Sequence, residues 1–251
     1  MVRKRENVFH RSARVGRTMT ATAPLRLTEI FHSVQGEGST VGLPTTFVRL
    51  TGCSLRCSWC DTTYSFYGGE DWTLDRVLER LAPIPTKRVC VTGGEPLDQH
   101  DACIMLIHAL LDRGYEVVLE TSGAIDISAA DKLEPRAKLQ ISMDVKCPSS
   151  NMQKRNRDEN LAILRPHDQL KFVISDRRDY EFARDVLAQH ATRAQLLFQP
   201  MWASPNPVAP TKTEGAPATL HDVADWVLAD GLDARVGTQL HKVIWGHEKG
   251  R

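Results

Sequence analysis

Cys53-Ser54-Leu55-Arg56-Cys57-Ser58-Trp59-Cys60 decides how this sequence is read. It directly follows Thr45–Thr51, a predicted strand with Phe47 and Arg49 on one face and Val48 and Leu50 on the other. Three thiolates in one short loop at the C-terminal end of a strand suit a metal site, because that end is where parallel α/β folds build their chemistry. Three cysteines can hold three irons of a 4Fe–4S cube and leave the fourth open to another ligand. A structural zinc ion is the alternative, but it takes four ligands and needs a fourth from Cys90, Cys147 or a histidine. The other cysteines, Cys90, Cys103 and Cys147, are scattered and read as small buried hydrophobes.

Outward from that loop the chain alternates strands and helices. Leu25–Val34 reads as a strand or hairpin arm, and Gln35-Gly36-Glu37-Gly38 as a turn-rich loop. Thr73 is positioned to cap a helix carrying Leu74, Val77, Leu78 and Leu81, which Pro83 and Pro85 end. A strand over Arg88–Thr92 runs into Gly93-Gly94-Glu95-Pro96, and Asp98 is expected to cap the helix that closes at Gly114. Further strands are predicted at Tyr115–Thr121, Leu139–Val145, Gln169–Ser175, Ala194–Gln199 and Arg235–Leu240, with helices at 126–134, Arg178–Gln189 and around Val223. Within Leu139–Val145 and the next residue, Ser142, Asp144 and Lys146 alternate with Ile141, Met143 and Val145, so one face is polar. The pattern predicts an α/β fold of about six right-handed βα units around a parallel sheet. That is a partial, open barrel with an N-terminal hairpin and a C-terminal extension.

Length and composition agree with one ordered domain over 25–251 behind a basic, disordered extension over 1–24, with Met19 an alternative start. The 251 residues include 32 Lys and Arg against 31 Asp and Glu, so the formal charge of +1 lends no support to nucleic-acid coating. No apolar run is long enough to span a membrane, no secretory h-region follows the basic start, and clustered cysteines suit a reducing cytosol.

CxxxCxxC after the first barrel strand, followed one βα unit later by Thr92-Gly93-Gly94-Glu95-Pro96, resembles the radical S-adenosylmethionine (SAM) superfamily. The resemblance implies that Cys53, Cys57 and Cys60 hold the cluster, whose open iron binds the amino and carboxylate groups of SAM. Electron transfer then yields a 5′-deoxyadenosyl radical. It also puts the Trp59 backbone near the adenine and the Gly94 region near the methionine amino group, where glycine permits close approach.

Further stretches resemble one branch, the 7-carboxy-7-deazaguanine synthase family, from about Leu27 to Arg251. They are Glu29-Ile30-Phe31, Ser33-Val34-Gln35-Gly36-Glu37-Gly38, Phe47-Val48-Arg49, Cys60-Asp61-Thr62 and Glu120-Thr121-Ser122-Gly123. Ser142-Met143-Asp144-Val145-Lys146, Gln199-Pro200, Gln239-Leu240-His241-Lys242 and Trp245-Gly246 complete the set. Some members have a shorter Ser-Pro-Lys where this chain has Ser142–Lys146.

That family converts 6-carboxy-5,6,7,8-tetrahydropterin to 7-carboxy-7-deazaguanine, releasing ammonia, toward queuosine and other 7-deazapurines. The resemblance implies magnesium on Thr62, SAM contacts from Glu120, Ser142, Lys146 and Gln199, and pterin contacts from Gln35, Gly36, Glu37, Arg49, Thr92 and His241. The chemistry agrees: a flat, anionic pterin needs a carboxylate for its guanidine-like edge, an amide, and a cation for its carboxylate. No catalytic side chain is expected beyond the cluster and the SAM-derived radical. A homodimer and an electron donor such as flavodoxin or ferredoxin are expected on the same ground. The competing readings are a glycyl-radical-activating enzyme and a non-catalytic zinc module.

Overall fold

The computed structural model describes residues 24–202 and 216–250. The expected basic extension and most of the proline-rich stretch at 200–217 lie outside the described residues.

One nine-stranded sheet organises the chain, in the order β3-β1-β2-β4-β5-β6-β7-β8-β9. β1 (Leu25–Val34) pairs antiparallel with β2 (Pro44–Leu50) and with β3 (Glu70–Trp72), a short edge strand that the sequence reading did not include. From β2 onward every pairing is parallel: β4 (Arg88–Gly93), β5 (Glu116–Thr121), β6 (Leu139–Val145), β7 (Gln169–Ile174), β8 (Gln195–Pro200) and β9 (Ala234–Val236). The edges β3 and β9 are not paired to each other, so the barrel is open, as expected.

The crossover helices are α1 (Leu74–Leu81), α2 (His100–Asp112), α3 (Ser128–Asp131), α4 (Arg177–Gln189) and α5 (Leu220–Ala229). Thr73 caps α1 by accepting from the Arg76 backbone, as its position predicted. Asp98 does not cap α2: its carboxylate accepts from the Ser54 backbone at 2.6 Å, while Glu95 caps the intervening 3-10 turn. The tertiary bond to the cluster loop outcompetes the local one.

Strand alternation sorts the two sheet faces. Val48, Leu50, Val91, Leu119, Ile141, Met143 and Phe172 pack with Val77, Leu106, Tyr180 and Val223 in one continuous core. Each large apolar side chain buried there contributes roughly 1.5–3 kcal/mol. The opposite, concave face starts with a small floor of Phe47, Cys90 and Val118, against which Phe31 packs. Polar residues surround that floor.

The chain's last predicted strand is corrected. Only Ala234–Val236 pairs with β8, and Leu240–Trp245 forms a helix, α6. His241 therefore reaches the concave face from a helix rather than a strand. Apolar runs this short fit either element, and here the Leu240 backbone donates to Gly36 O at 2.9 Å, turning the chain back over the barrel mouth. Among the described residues no helix is long and apolar enough to cross a membrane.

Candidate active site

A cavity of about 260 Å³ opens at the C-terminal ends of the parallel strands, and every site residue expected from the sequence lines it. The three cysteines and Trp59 come from the loop after β2, Thr92 and Gly94 from the end of β4, and Glu120 from β5. Ser142 and Lys146 come from β6 and its extension, Gln199 from β8 and His241 from α6. Gln35, Gly36 and Glu37 stand on the loop after β1, and Arg49 comes from β2. Cys90, Cys103 and Cys147 are buried and do not line the cavity.

Backbone fit explains the glycines. A Cβ on Gly94 would lie 2.1 Å from Gly52 O and 2.7 Å from the Cys53 Cβ, so only glycine lets β4 press against the cluster loop. A Cβ on Gly36 would strike the His241 ring at 1.9 Å, which couples the loop after β1 to α6. Buried Glu95 ties the same region together, accepting from Leu97 N, Thr121 Oγ1 and Ser122 N at 2.6–2.9 Å.

The cysteines are free thiols, each half-buried. Burial pushes Cys53 up to about 11 and raises Cys57, so a bound cation is needed to hold them as thiolates. Among the described residues no three His, Cys, Asp or Glu side chains converge as a single metal ion requires. A cube asks for less, since each thiolate takes its own iron, and the donor set is soft as iron–sulfur chemistry demands. Two amide oxygens of lining residues, Gln199 Oε1 and Gln239 Oε1, accept no hydrogen bond among the described residues. They leave acceptors for a ligand's N–H groups.

The same cavity holds an ionic network that sequence reasoning missed in part. Lys171 Nζ donates to Glu37 Oε2 at 2.7 Å and faces Asp144 Oδ1 at 3.2 Å, while Lys146 Nζ donates to Asp144 Oδ2 at 2.6 Å. Gln239 Nε2 donates to Glu37 Oε1 at 2.7 Å. Burial opposes ionisation of Glu37, but Lys171 and the amides of Gln239 and Gln199 overcome it and hold the carboxyl at about 2. Asp144 is lowered likewise, the lysines 146 and 171 outweighing its burial. Glu120 goes the other way: burial raises it, Lys171 offsets only part, and the Glu37 charge adds to the rise. Its partners are Thr92 Oγ1 at 3.0 Å and Gln35 Nε2 at 3.4 Å, both expected on the pterin side. Two neighbouring carboxyls are thus pushed in opposite directions.

Arg49 donates from Nε to Glu29 at 2.8 Å, and Tyr64 donates to the same oxygen at 2.8 Å. Burial disfavours the guanidinium charge, but Tyr64, Glu29 and Glu120 around it more than restore it. Burial lowers His241, disfavouring its charged form. Thr62 Oγ1 lies 3.7 Å from Cys60 Sγ, and Asp61 is drawn away to Lys242 of α6 at 2.5 Å.

Lys171 carried a legible signal. In Gln169-Leu-Lys-Phe-Val-Ile174 a lysine interrupts an apolar parallel strand, and such a charge is buried only with a partner. Gln239 and Lys242 stand in the Gln239–Lys242 stretch that carries the family resemblance, but nothing local shows that they meet Glu37 and Asp61.

A three-cysteine loop and a glycine-braced neighbour at the open end of a parallel half-barrel define a radical SAM enzyme. The Radical SAM superfamily model matches residues 47–165, which brings a 4Fe–4S cluster and SAM as cofactors. The chain is 42% identical over 234 residues to a 7-carboxy-7-deazaguanine synthase of Koribacter versatilis, covering 89% of this chain and 98% of that one. It is 39% identical over 224 residues to one from Thermoplasma acidophilum, covering 89% and 99%. QueE from Escherichia coli superposes with a TM-score of 0.67 at 20% identity, over 86% of this chain and 94% of that one, which supports the fold. The chain belongs to the 7-carboxy-7-deazaguanine synthase family.

Proposed function

We infer that this protein makes 7-carboxy-7-deazaguanine from 6-carboxy-5,6,7,8-tetrahydropterin, with release of ammonia, in a reducing cytosol. The observation that supports the reading best is that cluster, SAM and pterin residues, drawn from across the barrel, line one cavity. When bound, the cluster and SAM supply the 5′-deoxyadenosyl radical that takes a hydrogen from the carbon bearing the carboxylate.

The chain's own residues bind and orient. Cys53, Cys57 and Cys60 hold the cluster, with Trp59 and Gly94 against SAM. Glu120, Ser142, Lys146 and Gln199 complete that side. Glu37, kept ionised by Lys171, accepts from the pterin's guanidine-like edge, with Gln35 and Gly36 alongside. Arg49 faces the substrate carboxylate, Thr92 donates to the ring, and His241 offers a ring nitrogen. Leu55, Trp59, Met201 and Trp202 supply apolar wall that excludes water. Magnesium would sit on the Thr62 hydroxyl together with the substrate carboxylate, since a hard cation prefers oxygen. A homodimer and a flavodoxin or ferredoxin donor belong to the same reading. Neither a glycyl-radical-activating role nor a zinc module is favoured, given the relatives' shared name.

The test is anaerobic turnover of carboxytetrahydropterin with reconstituted enzyme. Formation of 7-carboxy-7-deazaguanine supports the reading; SAM cleavage without that product rejects it. Arg49→Ala should weaken pterin binding by about 2–3 kcal/mol, tens of fold or more, with SAM binding unchanged in calorimetry.

A further inference from the structure

We propose that Glu29 and Tyr64 are positioning residues that aim the Arg49 guanidinium at the substrate's carboxylate, and so set the preference for a carboxylated pterin over one without that group. This rests on the reading that Arg49 faces that carboxylate. Arg49 lines the cavity, while Glu29 and Tyr64 stand outside its lining, so whatever they do for the substrate they do through Arg49.

The aim is built into the N-terminal hairpin. β1 and β2 pair Glu29 with Arg49 directly across the strands, just past a register shift between Leu27 and Glu29. Irregularities of that kind re-aim side chains. Glu29 Oε1 accepts from Arg49 Nε at 2.8 Å and from the Tyr64 hydroxyl at 2.8 Å, so one oxygen gathers both groups. Gly93 O accepts from Arg49 Nη1 at 3.3 Å. The guanidinium carbon lies 5.8 Å over the Phe31 ring, which itself stacks on Phe47 at 4.8 Å, and 6.0 Å over the Tyr64 ring. Nε and one Nη1 N–H are thereby engaged, while Nη2 donates to no described residue and is left for an incoming anion.

The sign of Glu29 shows that its role is geometric. A carboxylate beside an anion-binding guanidinium weakens the Coulombic pull on the anion, so charge alone would favour a neutral residue at this position. What Glu29 supplies is order. A long arginine side chain loses much rotamer freedom when it binds, and a pinned Nε removes that freedom beforehand. Tyr64 refers the aim to the cysteines. It stands on the 3-10 turn Thr63–Ser65, which closes through Ser65 N to Thr62 O at 2.9 Å. Gly52 N, at the start of the cluster loop, donates to Ser65 O at 2.8 Å. The Lys249 ammonium lies 4.6 Å from the Tyr64 ring and helps to hold it. The substrate's carboxylate is thereby placed relative to the loop that carries the cluster.

The experiment uses SAM-loaded, reconstituted holoenzyme at fixed magnesium. Anaerobic calorimetry compares 6-carboxy-5,6,7,8-tetrahydropterin with 5,6,7,8-tetrahydropterin, which lacks the carboxylate. Glu29→Ala should weaken binding of the carboxylated pterin about tenfold and leave the other within about twofold. Glu29→Gln still accepts from Nε and from Tyr64, so it should hold the carboxylated pterin as tightly as the parent or more so. In an Arg49→Ala background, Glu29→Ala should have no further effect, because nothing is left to position. An equal loss for both pterins overturns the proposal. So does a Glu29→Gln loss as large as that of Glu29→Ala, tighter binding in Glu29→Ala, or a loss that persists without Arg49. If Glu29→Ala does not fold, Tyr64→Phe must weaken the carboxylated pterin alone, by a smaller factor and only while Arg49 is present. Arg49→Ala separates the two readings. No loss of carboxylated pterin there faults Arg49 as the carboxylate's partner and takes the proposal with it, whereas a loss there with none in Glu29→Ala faults the positioning alone.

Discussion

The three cysteines of the cluster loop lie within eight residues of chain, whereas Glu37, across the cavity, is held by Lys171 and Gln239 at sequence separations of 134 and 202. The loop is held mostly through backbone groups, which side-chain changes elsewhere do not remove: Cys60 N bonds Cys57 O, Glu95 N bonds Gly52 O, and Ser58 N bonds Ser150 O, with the Asp98 carboxylate on Ser54 N. Its geometry therefore survives many changes elsewhere. The facing wall, the Lys146–Asp144 pair excepted, draws its support from distant segments. Its carboxylates and ammoniums sit out of water and are tolerable only while each keeps its counter-charge. A change in the loop should remove chemistry and leave the fold. A change in the wall should cost both.

Cys57→Ala is the sharpest way to test the first half of that contrast. Iron loading and SAM cleavage should be abolished, with urea unfolding of the apoprotein nearly unchanged. Cys103→Ala should do the reverse, keeping the iron and losing stability, because its side chain is fully buried in the core. Full iron content in Cys57→Ala would sink the cluster assignment.

Lys171→Met comes next and should break the wall. Removing one partner of a buried pair typically costs about 3 kcal/mol, so both the urea midpoint and pterin affinity should fall. The pH dependence carries the mechanism. In the parent, Glu37 is held at about 2, below its unfolded range. Its contribution is full above the ordinary carboxylate range and lost as pH falls through about 2. Without Lys171, burial dominates and Glu37 prefers its proton, so the variant should close part of the gap to the parent as pH is lowered from 8 to 5. A gap that stays constant or widens rejects Lys171 as the counter-charge.

The smallest effect is reserved for Thr62→Val. The hydroxyl's recorded neighbour is the Cys60 sulfur at 3.7 Å, so stability should shift by less than about 0.5 kcal/mol. Cluster content and SAM cleavage should persist, and most of the stimulation by added magnesium should vanish. A variant that responds to magnesium like the parent places that ion elsewhere.

The same contrast separates what could be read in the sequence from what could not. CxxxCxxC and the alternation of Ser142, Asp144 and Lys146 are local patterns, and both emerged on the predicted face. So did Arg49, from the two-residue period of β2. The pairings that give these residues their charge states are contacts between distant strands, and periodicity says which face a residue is on but not whom it meets. Lys171 was recoverable as a charge inside an apolar strand. Asp98 and the end of the Arg235–Leu240 segment depart from the sequence expectation because a local rule, a helix cap or an apolar run, loses to a tertiary contact that the rule does not see.

Helix α6 has a consequence for the order in which the protein is made. Its Leu240 N–H bonds Gly36 O, its His241 fills the space beside Gly36, and its Lys242 pins Asp61 next to the cluster loop. A ribosome therefore releases the cysteines, the glycines and most of the sheet long before the residues that close the cavity. The nascent chain can gather its thiolates early, yet the pterin pocket is finished only when α6 has emerged and folded back. Premature termination after β8 but before residue 240 would leave a half-barrel with its cysteines and without its completed mouth.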